Sequence, residues 1–306
     1  MSQTSSPTLG FIGLGVMGGP MCRNIAIKHS GAVLAFDLDS TALAALSDTP
    51  ARPAASIAAL AAEADVVFLS LPGGKQVEAV CCGANGILGA ARRGAIIVDL
   101  STTSVASARD VGRRLEEAGL RFADAPVART REAAQKGQLS IMVGASDDIF
   151  ARVRPLLDYM ASDVTHCGAV GSGQVVKLIN NMLVFEHVAA LAEMMVVGER
   201  AGVAPRTLLE AVSKGSGDSF VLRNHGMKAM LPREFPQKAF PPEYVLKDID
   251  YVLELAGEQG VSAKIAELAR RYYDAARRQG VSGRYFPGVI EIVEKGALAD
   301  ARQDAS

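Results

Sequence analysis

One proline-free stretch dominates the second half of the chain. Residues 171–202 are GSGQVVKLINNMLVFEHVAALAEMMVVGERAG. Apolar side chains recur three, four or seven positions apart, at Val176, Ile179, Leu183, Ala190, Met194 and Val197. Because that spacing is the period of an α-helix, the stretch predicts a helix of roughly 28 residues, about 42 Å long.

The beginning of this helix carries three polar side chains, Lys177, Asn180 and Asn181. Lys177 and Asn181 lie four positions apart, so they share a helical face. A cation near the start of a helix opposes the helix dipole, which makes Lys177 a candidate functional residue. The alternative is a partly exposed lysine whose aliphatic stem covers apolar surface.

Composition limits the classes of protein that fit. The chain has 306 residues, is 49% hydrophobic and carries a formal net charge of −1, which suits one large or two medium domains. A nearly neutral chain gives no case for nucleic acid or an anionic membrane as the main partner. The four cysteines follow no metal-ligand or disulfide spacing, so no metal site is expected; they are Cys22, Cys81, Cys82 and Cys167.

The N-terminal sequence MSQTSSP has no basic region followed by an apolar run, so it does not resemble a signal peptide. No uninterrupted apolar run has the length that spans a bilayer. These features predict a soluble, cytoplasmic protein that does not insert into a membrane.

A dinucleotide-binding pattern lies near the N-terminus. The apolar run TLGFIGLGV (8–16) passes into Gly13-x-Gly15-x-x-Gly18, a helical pattern follows, and a second apolar strand, AVLAF (32–36), ends at Asp37. Glycines at these positions permit a tight turn and close approach of a pyrophosphate at a helix N-terminus. The predicted cofactor loop consists of Gly13, Leu14, Gly15, Val16, Met17 and Gly18. The alternative is a glycine-rich structural turn.

Asp37 lies roughly 20 residues after the last glycine, as the fingerprint requires. A carboxylate there accepts hydrogen bonds from the ribose hydroxyls and repels a 2′-phosphate. The sequence therefore favours NAD over NADP.

Strand and helix patterns alternate as far as residue 168. Predicted strands cover 65–71, 95–100, 120–127, 139–143 and 163–166, with a helix at 147–160. This alternation predicts a doubly wound, mostly parallel α/β (Rossmann) sheet, whose ligands bind beyond the carboxyl ends of the strands. Leu71, Pro72 and Thr102 fall at such ends, although they could be ordinary loop residues.

The remainder of the chain reads as all-α. Helical patterns cover 206–214, 243–259 and 262–279, a last one starts near 288, and 215–242 reads as a loop with four prolines. We therefore expect a nucleotide-binding domain at 1–169 and an all-helical domain at 170–306, joined by the long helix. The helix would begin at the cleft between them, which places Lys177 against the cofactor site.

Together these motifs resemble the β-hydroxyacid dehydrogenase family over nearly the whole chain. The matching segments are GFIGLGVMGGPMCRNI (10–25), LPG (71–73), DLST (99–102), DAPV (124–127), GSGQVVKLINN (171–181) and KD (247–248). The resemblance implies a cofactor-dependent oxidoreductase with Lys177 as general acid/base and with Asn180 and Asn181 orienting the substrate. It also implies that Lys247 approaches the cofactor, with Phe240 and Asp248 near the active site. For Lys247 and Asp248 alone, a solvated ion pair would be the default.

The chemistry of a lysine suits that role. In reduction its ammonium donates a proton to the carbonyl oxygen, and in oxidation its neutral amine accepts the hydroxyl proton. A lysine does this near neutral pH only if its pKa falls, and burial near a helix N-terminus acts in that direction.

The chain departs from the family pattern after DAPV. The common family loop continues Ser-Gly-Gly, whereas this chain has Ala128, Arg129 and Thr130. An arginine forms bidentate pairs with carboxylate, sulfonate or phosphate, so these residues are predicted to bind an anionic substrate; the alternative for Arg129 is a surface arginine on a loop. The segment is similar to that of sulfolactaldehyde reductase, but that branch carries a serine where this chain has Val184.

The leading hypothesis is an NAD-dependent enzyme that interconverts a small β-hydroxy acid and its semialdehyde, and the first alternative is a sulfolactaldehyde reductase. An imine reductase usually replaces the family lysine, and a non-catalytic nucleotide-binding protein would not need it. A homodimer or homotetramer is expected from apolar surface on the long helix at Val184, Phe185, Val188 and Leu191.

Overall fold

The computed structural model describes residues 6–237 and 239–296. The chain separates into two compact units, Met1–Lys177 and Leu178–Ser306. The division falls within one long helix, immediately after Lys177.

The first unit is built on a nine-stranded sheet with the order β3-β2-β1-β4-β5-β6-β8-β7, and β9 pairs with β8. β1 to β6 are parallel, whereas β8 runs antiparallel to β6 and β7. The strands are β1 (Leu9–Ile12), β2 (Val33–Phe36), β3 (Arg52–Pro53), β4 (Val66–Leu69), β5 (Ile96–Asp99), β6 (Arg121–Asp124), β7 (Val127–Ala128), β8 (Leu139–Gly144) and β9 (Ala161–Gly168). The predicted doubly wound Rossmann sheet is confirmed.

Helices cover both faces of this sheet. They are α1 (Gly18–Lys28), α2 (Ser40–Ala44), α3 (Ile57–Glu63), α4 (Gly74–Cys82), α5 (Val105–Glu117), α6 (Arg131–Lys136) and α7 (Asp147–Leu157), with a 3₁₀ turn at Ile87–Gly89. Neighbouring residues of one strand enter different cores: Phe68 belongs to one apolar cluster and Leu69 to another. Burial on both faces explains why these strands read as continuous apolar runs instead of alternating patterns.

The predicted strand 120–127 is two strands. β6 ends at Asp124, and β7 begins at Val127 and pairs antiparallel with β8. Pro126 lies between them. A proline has no N–H to donate to a ladder, so the chain changes partners there, and this change begins the loop that carries Arg129.

The second unit is helical, as expected. Its elements are α8 (Ser172–Arg200, which starts in the first unit), α9 (Pro205–Val212), a π-helical segment (Leu222–Met230), α10 (Pro242–Glu258), α11 (Lys264–Ala276), an irregular turn (Arg277–Val281), a 3₁₀ turn (Phe286–Val289) and α12 (Ile290–Lys295). The prediction of a loop over 215–242 is wrong for the π-helical segment. All four prolines of that stretch come after residue 230, so they did not mark its interior.

The faces of α8 also differ from expectation. Phe185 and Val188 are buried in the core of the second unit, and Val184 and Leu191 pack against it. These residues therefore do not form the exposed apolar surface that we expected. The side chains that mark the helical period are the exposed ones: Val176 is 40%, Ile179 50%, Leu183 49%, Met194 55% and Val197 58% exposed.

By length and composition alone, α8 is long and apolar enough to cross a membrane. The expectation above concerned uninterrupted apolar runs, and α8 is interrupted by Lys177, Glu186 and Glu193. The buried face of α8, which includes Met182, Ala192 and Met195, packs in the core of the second unit. An apolar helix with a buried face of this kind is typical of the core of a globular domain.

Candidate active site

The glycine loop after β1 has the geometry of a dinucleotide cradle. Gly13 has a φ of +93°, and a Cβ there would lie 2.3 Å from the carbonyl oxygen of Ser70. A Cβ on Gly18 would lie 1.9 Å from the carbonyl oxygen of Gly13. A Cβ on Gly15, by contrast, would meet no atom within 4 Å. Two glycines thus serve packing and the middle one leaves space at the helix N-terminus, which fits a pyrophosphate.

The three residues between the glycines differ in how far they are buried. Leu14 is buried, Met17 is half-buried and Val16 is exposed at the surface of the loop. The Leu14 N–H donates to Oδ2 of Asp37 at 2.5 Å, and the Asp39 N–H donates to Oδ1 of Asp37 at 2.8 Å. Asp37 therefore lies beside the glycine loop at the end of β2, where the dinucleotide fingerprint requires a carboxylate.

The carboxyl ends of β4 and β5 are joined by hydrogen bonds. The Leu71 N–H donates to Oγ of Ser101 at 2.9 Å, and the Ser101 N–H donates to Oδ1 of Asp99 at 3.0 Å. Pro72 follows on the exposed side, and Thr102 is half-buried beside Ser101. The two predicted loops therefore meet at one edge of the sheet.

Gln174, in the first turn of α8, fastens that helix to the β5 end. Its Nε2 donates to the Ser101 carbonyl at 2.8 Å, and its Oε1 accepts from the Thr103 N–H at 3.1 Å. Gln174 is fully buried. Both halves of one amide side chain are thus used to hold the helix against the strand end.

Asp124, the last residue of β6, binds the start of the same helix. Its Oδ1 accepts from the Gly171 N–H at 2.6 Å and its Oδ2 from the Gln174 N–H at 2.8 Å. Burial raises the pKa of Asp124 to about 6, although these backbone hydrogen bonds act in the opposite direction. A Cβ on Gly173 would lie 2.4 Å from the Met142 carbonyl oxygen and 2.8 Å from Asp124 Oδ2, so only glycine allows this close approach.

Lys177 follows Gln174 by three positions, so both side chains project from the same side of α8. Lys177 is only 9% exposed. Because Gln174 faces the β5 end, Lys177 lies on the side of the helix directed at the carboxyl ends of the strands. The position is incompatible with the alternative of a lysine that merely snorkels into solvent.

In the second unit, Asp248 contacts two predicted site residues, Asn181 and Lys247. It is 1% exposed. Nδ2 of Asn181 donates to Oδ2 of Asp248 at 2.7 Å, and Nζ of Lys247 lies 3.1 Å from Oδ1 of Asp248. Nδ2 of Asn180 donates to Oδ1 of Asn181 at 3.2 Å. The alternative of a solvated ion pair between Lys247 and Asp248 is therefore wrong, because the Asp248 carboxylate is buried and bonded to Asn181.

Phe240 belongs to an aromatic group in the same unit. Its ring lies 6.1 Å from that of Phe185 and 5.6 Å from that of Tyr244, measured between centroids. Phe240 and Tyr244 are both partly exposed. Tyr244 precedes Asp248 by one helical turn of α10, so the aromatic surface continues the face that holds Asp248.

The loop that departs from the family pattern is held by its own contacts. Ala128 is buried and pairs with Ser140 in the sheet. Thr130 caps α6, with its Oγ1 accepting from the Ala133 N–H at 3.3 Å. Arg129 donates to the Gln138 carbonyl, to Oγ of Ser162 and to Oδ2 of Asp163, at 2.7, 2.7 and 2.6 Å.

These contacts bear on the prediction for Arg129. Hydrogen bonds from Ser162 and Arg129 hold the pKa of Asp163 below its ordinary range. The guanidinium thus has an anionic partner within its own unit, which favours the alternative of a surface arginine on a loop, here one whose side chain is bonded to β9. Contact between Arg129 and a substrate stays a prediction.

Sequence reasoning missed Asp124, Gln174 and Asp163. The first two lie inside the motifs DAPV and GSGQ, but their partners are distant in the chain. Within residues 6–237 and 239–296, no group of three or more His, Cys, Asp or Glu side chains could hold a metal ion.

Comparisons with known proteins agree with this architecture. Residues 8–168 match the family profile "NAD binding domain of 6-phosphogluconate dehydrogenase", and residues 171–293 match "NAD-binding of NADP-dependent 3-hydroxyisobutyrate dehydrogenase". The chain is 34% identical to 2-(hydroxymethyl)glutarate dehydrogenase of Eubacterium barkeri over 94% of this chain and 95% of that protein. It is 31% identical to human mitochondrial 3-hydroxyisobutyrate dehydrogenase over 96% and 89%.

Among solved structures, 3-hydroxyisobutyrate dehydrogenase of Mycobacterium tuberculosis with L-serine matches with a TM-score of 0.86 and 29% identity, covering 94% of this chain and 99% of that one. The fold and these matches define an NAD(P)-binding oxidoreductase. The chain belongs to the β-hydroxyacid dehydrogenase family. It is an NAD(P)-dependent 3-hydroxyacid dehydrogenase.

Proposed function

We propose that the protein is an NAD-dependent dehydrogenase that oxidises a small β-hydroxy acid to its semialdehyde, and catalyses the reverse reduction, with Lys177 as general acid/base. One observation carries the proposal. Lys177 is buried on the first turns of α8, and Gln174 and Asp124 fasten those turns to the carboxyl ends of β5 and β6. In a doubly wound sheet, that is the edge where ligands bind.

The glycine loop and Asp37 are the groups that would hold the cofactor, with Leu71, Pro72 and Thr102 at the neighbouring strand ends and Lys247 as a further contact implied by the family. Bound NAD would supply the hydride acceptor for the carbon that carries the hydroxyl. The protein's part is to move the remaining proton. During oxidation Nζ of Lys177 takes the hydroxyl proton, and during reduction it returns a proton to the carbonyl oxygen, so charge does not accumulate on that oxygen.

Asn181 is a suitable group for orienting the substrate. Its amide is held at one end by the buried carboxylate of Asp248, and it lies one helical turn from Lys177 on the same face of α8. An amide fixed by a buried hydrogen bond loses little further entropy when it binds a ligand. Asn180, Phe240 and Asp248 are the other substrate-binding residues proposed in the second unit, and Ala128, Arg129 and Thr130 are those proposed in the first.

The substrate class follows from what the relatives share. 2-(Hydroxymethyl)glutarate and 3-hydroxyisobutyrate are both 3-hydroxypropanoates with a substituent at carbon 2. We therefore infer that the substrate is a 2-substituted 3-hydroxypropanoate, oxidised at carbon 3. The carboxylate next to carbon 2 is the anion that the loop after β7 would receive.

NAD is the preferred cofactor in this proposal. Residues 37–41 carry two carboxylates, Asp37 and Asp39, and neither lysine nor arginine. A 2′-phosphate placed against Asp37 would bring like charges together without a cation from this segment, which is unfavourable.

A second copy of the chain is the proposed macromolecular partner. The exposed apolar stripe of α8, Val176, Ile179, Leu183, Ala190, Met194 and Val197, runs along the whole helix. Contiguous apolar surface of this kind marks interaction sites, and a two-fold dimer would cover the same stripe on both copies.

The direct test is a panel of aldehydes with the purified protein, followed through NADH and NADPH oxidation. It contains methylmalonate semialdehyde, tartronate semialdehyde, succinate semialdehyde, sulfolactaldehyde and a cyclic imine. We expect the fastest turnover with NADH and a semialdehyde that has a substituent at carbon 2. Preference for sulfolactaldehyde or for the imine would contradict the proposed substrate class, and bound NADH without any turnover would contradict the proposed activity.

A further inference from the structure

We propose that Arg129 is a positioning residue: the hydrogen bonds of its guanidinium to Ser162 and Asp163, called the clip below, hold the loop 128–130 in a turn with a left-handed backbone at Arg129. The inference rests on the proposed function in taking this loop as the receptor for the substrate's acid group. It differs from direct recognition of the substrate by the guanidinium.

The backbone shows why a clip is required. Arg129 has a φ of +84°, and among the described residues only Arg129 and Arg233 combine a side chain with a positive φ. This region is disfavoured for residues with a Cβ and is usually taken by glycine. Such conformations persist where surrounding contacts over-determine them.

The side chain provides those contacts. One terminal nitrogen of Arg129 donates to both the Gln138 carbonyl and the Ser162 hydroxyl, and the other donates to the Asp163 carboxylate. The Ser162 hydroxyl in turn donates to Asp163 at 2.8 Å. The guanidinium therefore reaches from the loop to the first residues of β9, 33 and 34 positions later in the chain.

Both flanks of the turn are fixed independently of Arg129. Ala128 is held in the β7–β8 ladder, and Thr130 caps α6. The far end of α6 is held by Asn24 of α1, whose Nδ2 donates to the Ala134 carbonyl at 2.9 Å. Within the turn 128–130, Arg129 is therefore the residue whose conformation we expect to depend on the contacts of its own guanidinium.

This arrangement changes how the acid group would be recognised. The guanidinium is engaged by a carboxylate of its own unit, so its part under this proposal is structural. The clip keeps the loop 128–130 in the shape that receives the acid group. Under this proposal Asp163 therefore increases the affinity for the substrate. If Arg129 bound the substrate itself, Asp163 would compete with the substrate for the guanidinium and lower that affinity.

Asp163→Asn separates the two cases by the sign of its effect. With the best substrate of the panel, the clip predicts a rise in KM of about threefold to fivefold, the scale of one exposed ion pair, with kcat nearly unchanged. Arg129→Ala should raise KM further, and the double variant should be no worse than Arg129→Ala alone. Arg131→Ala is the matched control, an exposed arginine two positions away, and should leave KM unchanged. A lower KM in Asp163→Asn would overturn the proposal, because it would mean that Asp163 competes with the substrate for Arg129.

A second measurement needs no substrate. Amide hydrogen exchange at residues 128–131 should be faster in Arg129→Ala and Asp163→Asn than in the wild type or Arg131→Ala. Arg129→Gly should exchange faster as well, since glycine tolerates the turn but does not fix it. An unchanged exchange rate at residues 128–131 in Arg129→Ala would overturn the clip even if the enzyme is active. A lack of turnover with every aldehyde of the panel would contradict only the proposed function.

Discussion

Asp37 has an observed role in the fold and a proposed role in cofactor selection. It accepts hydrogen bonds from the N–H groups of Leu14 and Asp39, which shapes the glycine loop, and in the proposed function its charge also acts on the adenosine ribose of the cofactor. An amide in the same place would retain an acceptor for one N–H but lose the charge. Shape and charge can therefore be separated experimentally.

We expect Asp37→Asn to lower the preference for NADH over NADPH, expressed as the ratio of kcat/KM values, by about tenfold or more. Repulsion between like charges at an interface costs several kcal/mol, so its removal should act mainly on NADPH. Asp37→Ala should lower the ratio similarly but also weaken both cofactors, because the Leu14 N–H loses its acceptor. An unchanged ratio in Asp37→Asn would show that another group discriminates the 2′-phosphate.

The residues that hold Lys177 illustrate what a sequence pattern cannot supply. The helix, the lysine and the asparagine one turn later follow from spacing alone. The contacts of Asp124 with Gly171 and of Gln174 with Ser101 join residues 47 and 73 positions apart. Such pairs depend on the order of strands in the sheet, which the local periodicity of either segment does not contain.

At the scale of elements, α8 shows why a helical period can be right while the buried face is not. The helix is apolar around most of its circumference, so its period is clear but its orientation is not. Packing within the second unit determines which face of α8 is buried, and that face contains Phe185 and Val188. The strand–helix alternation was more informative, because the central strands β1, β4 and β5 are buried along their whole length and are bounded by glycine, proline or polar turns.

The π-helical segment at 222–230 carries a histidine whose environment predicts a pH effect. His225 is 9% exposed, its ring lies 5.2 Å from that of Phe286, and Nδ1 is 2.9 Å from the Tyr285 hydroxyl. Burial lowers the pKa of His225 to about 4. The folded state therefore favours the neutral ring, while an unfolded histidine takes up a proton below its ordinary pKa of about 6.5.

The stability contributed by neutral His225 should be complete above pH 6.5 and should be lost as the pH falls towards 4. Between pH 7 and pH 5 we expect the free energy of unfolding of the wild type to fall by about 2 kcal/mol relative to His225→Gln. Thermal and denaturant unfolding across this range would measure the difference. Parallel curves for the wild type and His225→Gln would contradict the assignment.

At the scale of the whole molecule, the exposed stripe of α8 predicts self-association. Met194→Glu combined with Val197→Glu would place two charges on the stripe, many residues from Lys177. Sedimentation should show a dimer or larger assembly for the wild type and a shift towards monomer for this variant, because burying unpaired charges is costly. Val203→Glu, an exposed apolar residue just beyond the helix, should not shift the assembly. A wild-type protein that sediments as a monomer would contradict the proposed partner.

The central claim is that Lys177 transfers the proton, and single-turnover kinetics of Lys177→Ala test it most directly. NADH affinity, measured by fluorescence, should be nearly unchanged, and Lys214→Ala, at an exposed position, should behave as the wild type. With saturating aldehyde, the rate of NADH oxidation in Lys177→Ala should fall by at least ~100-fold, the usual scale of general acid/base catalysis. A rate close to that of the wild type, with NADH bound normally, would contradict the account.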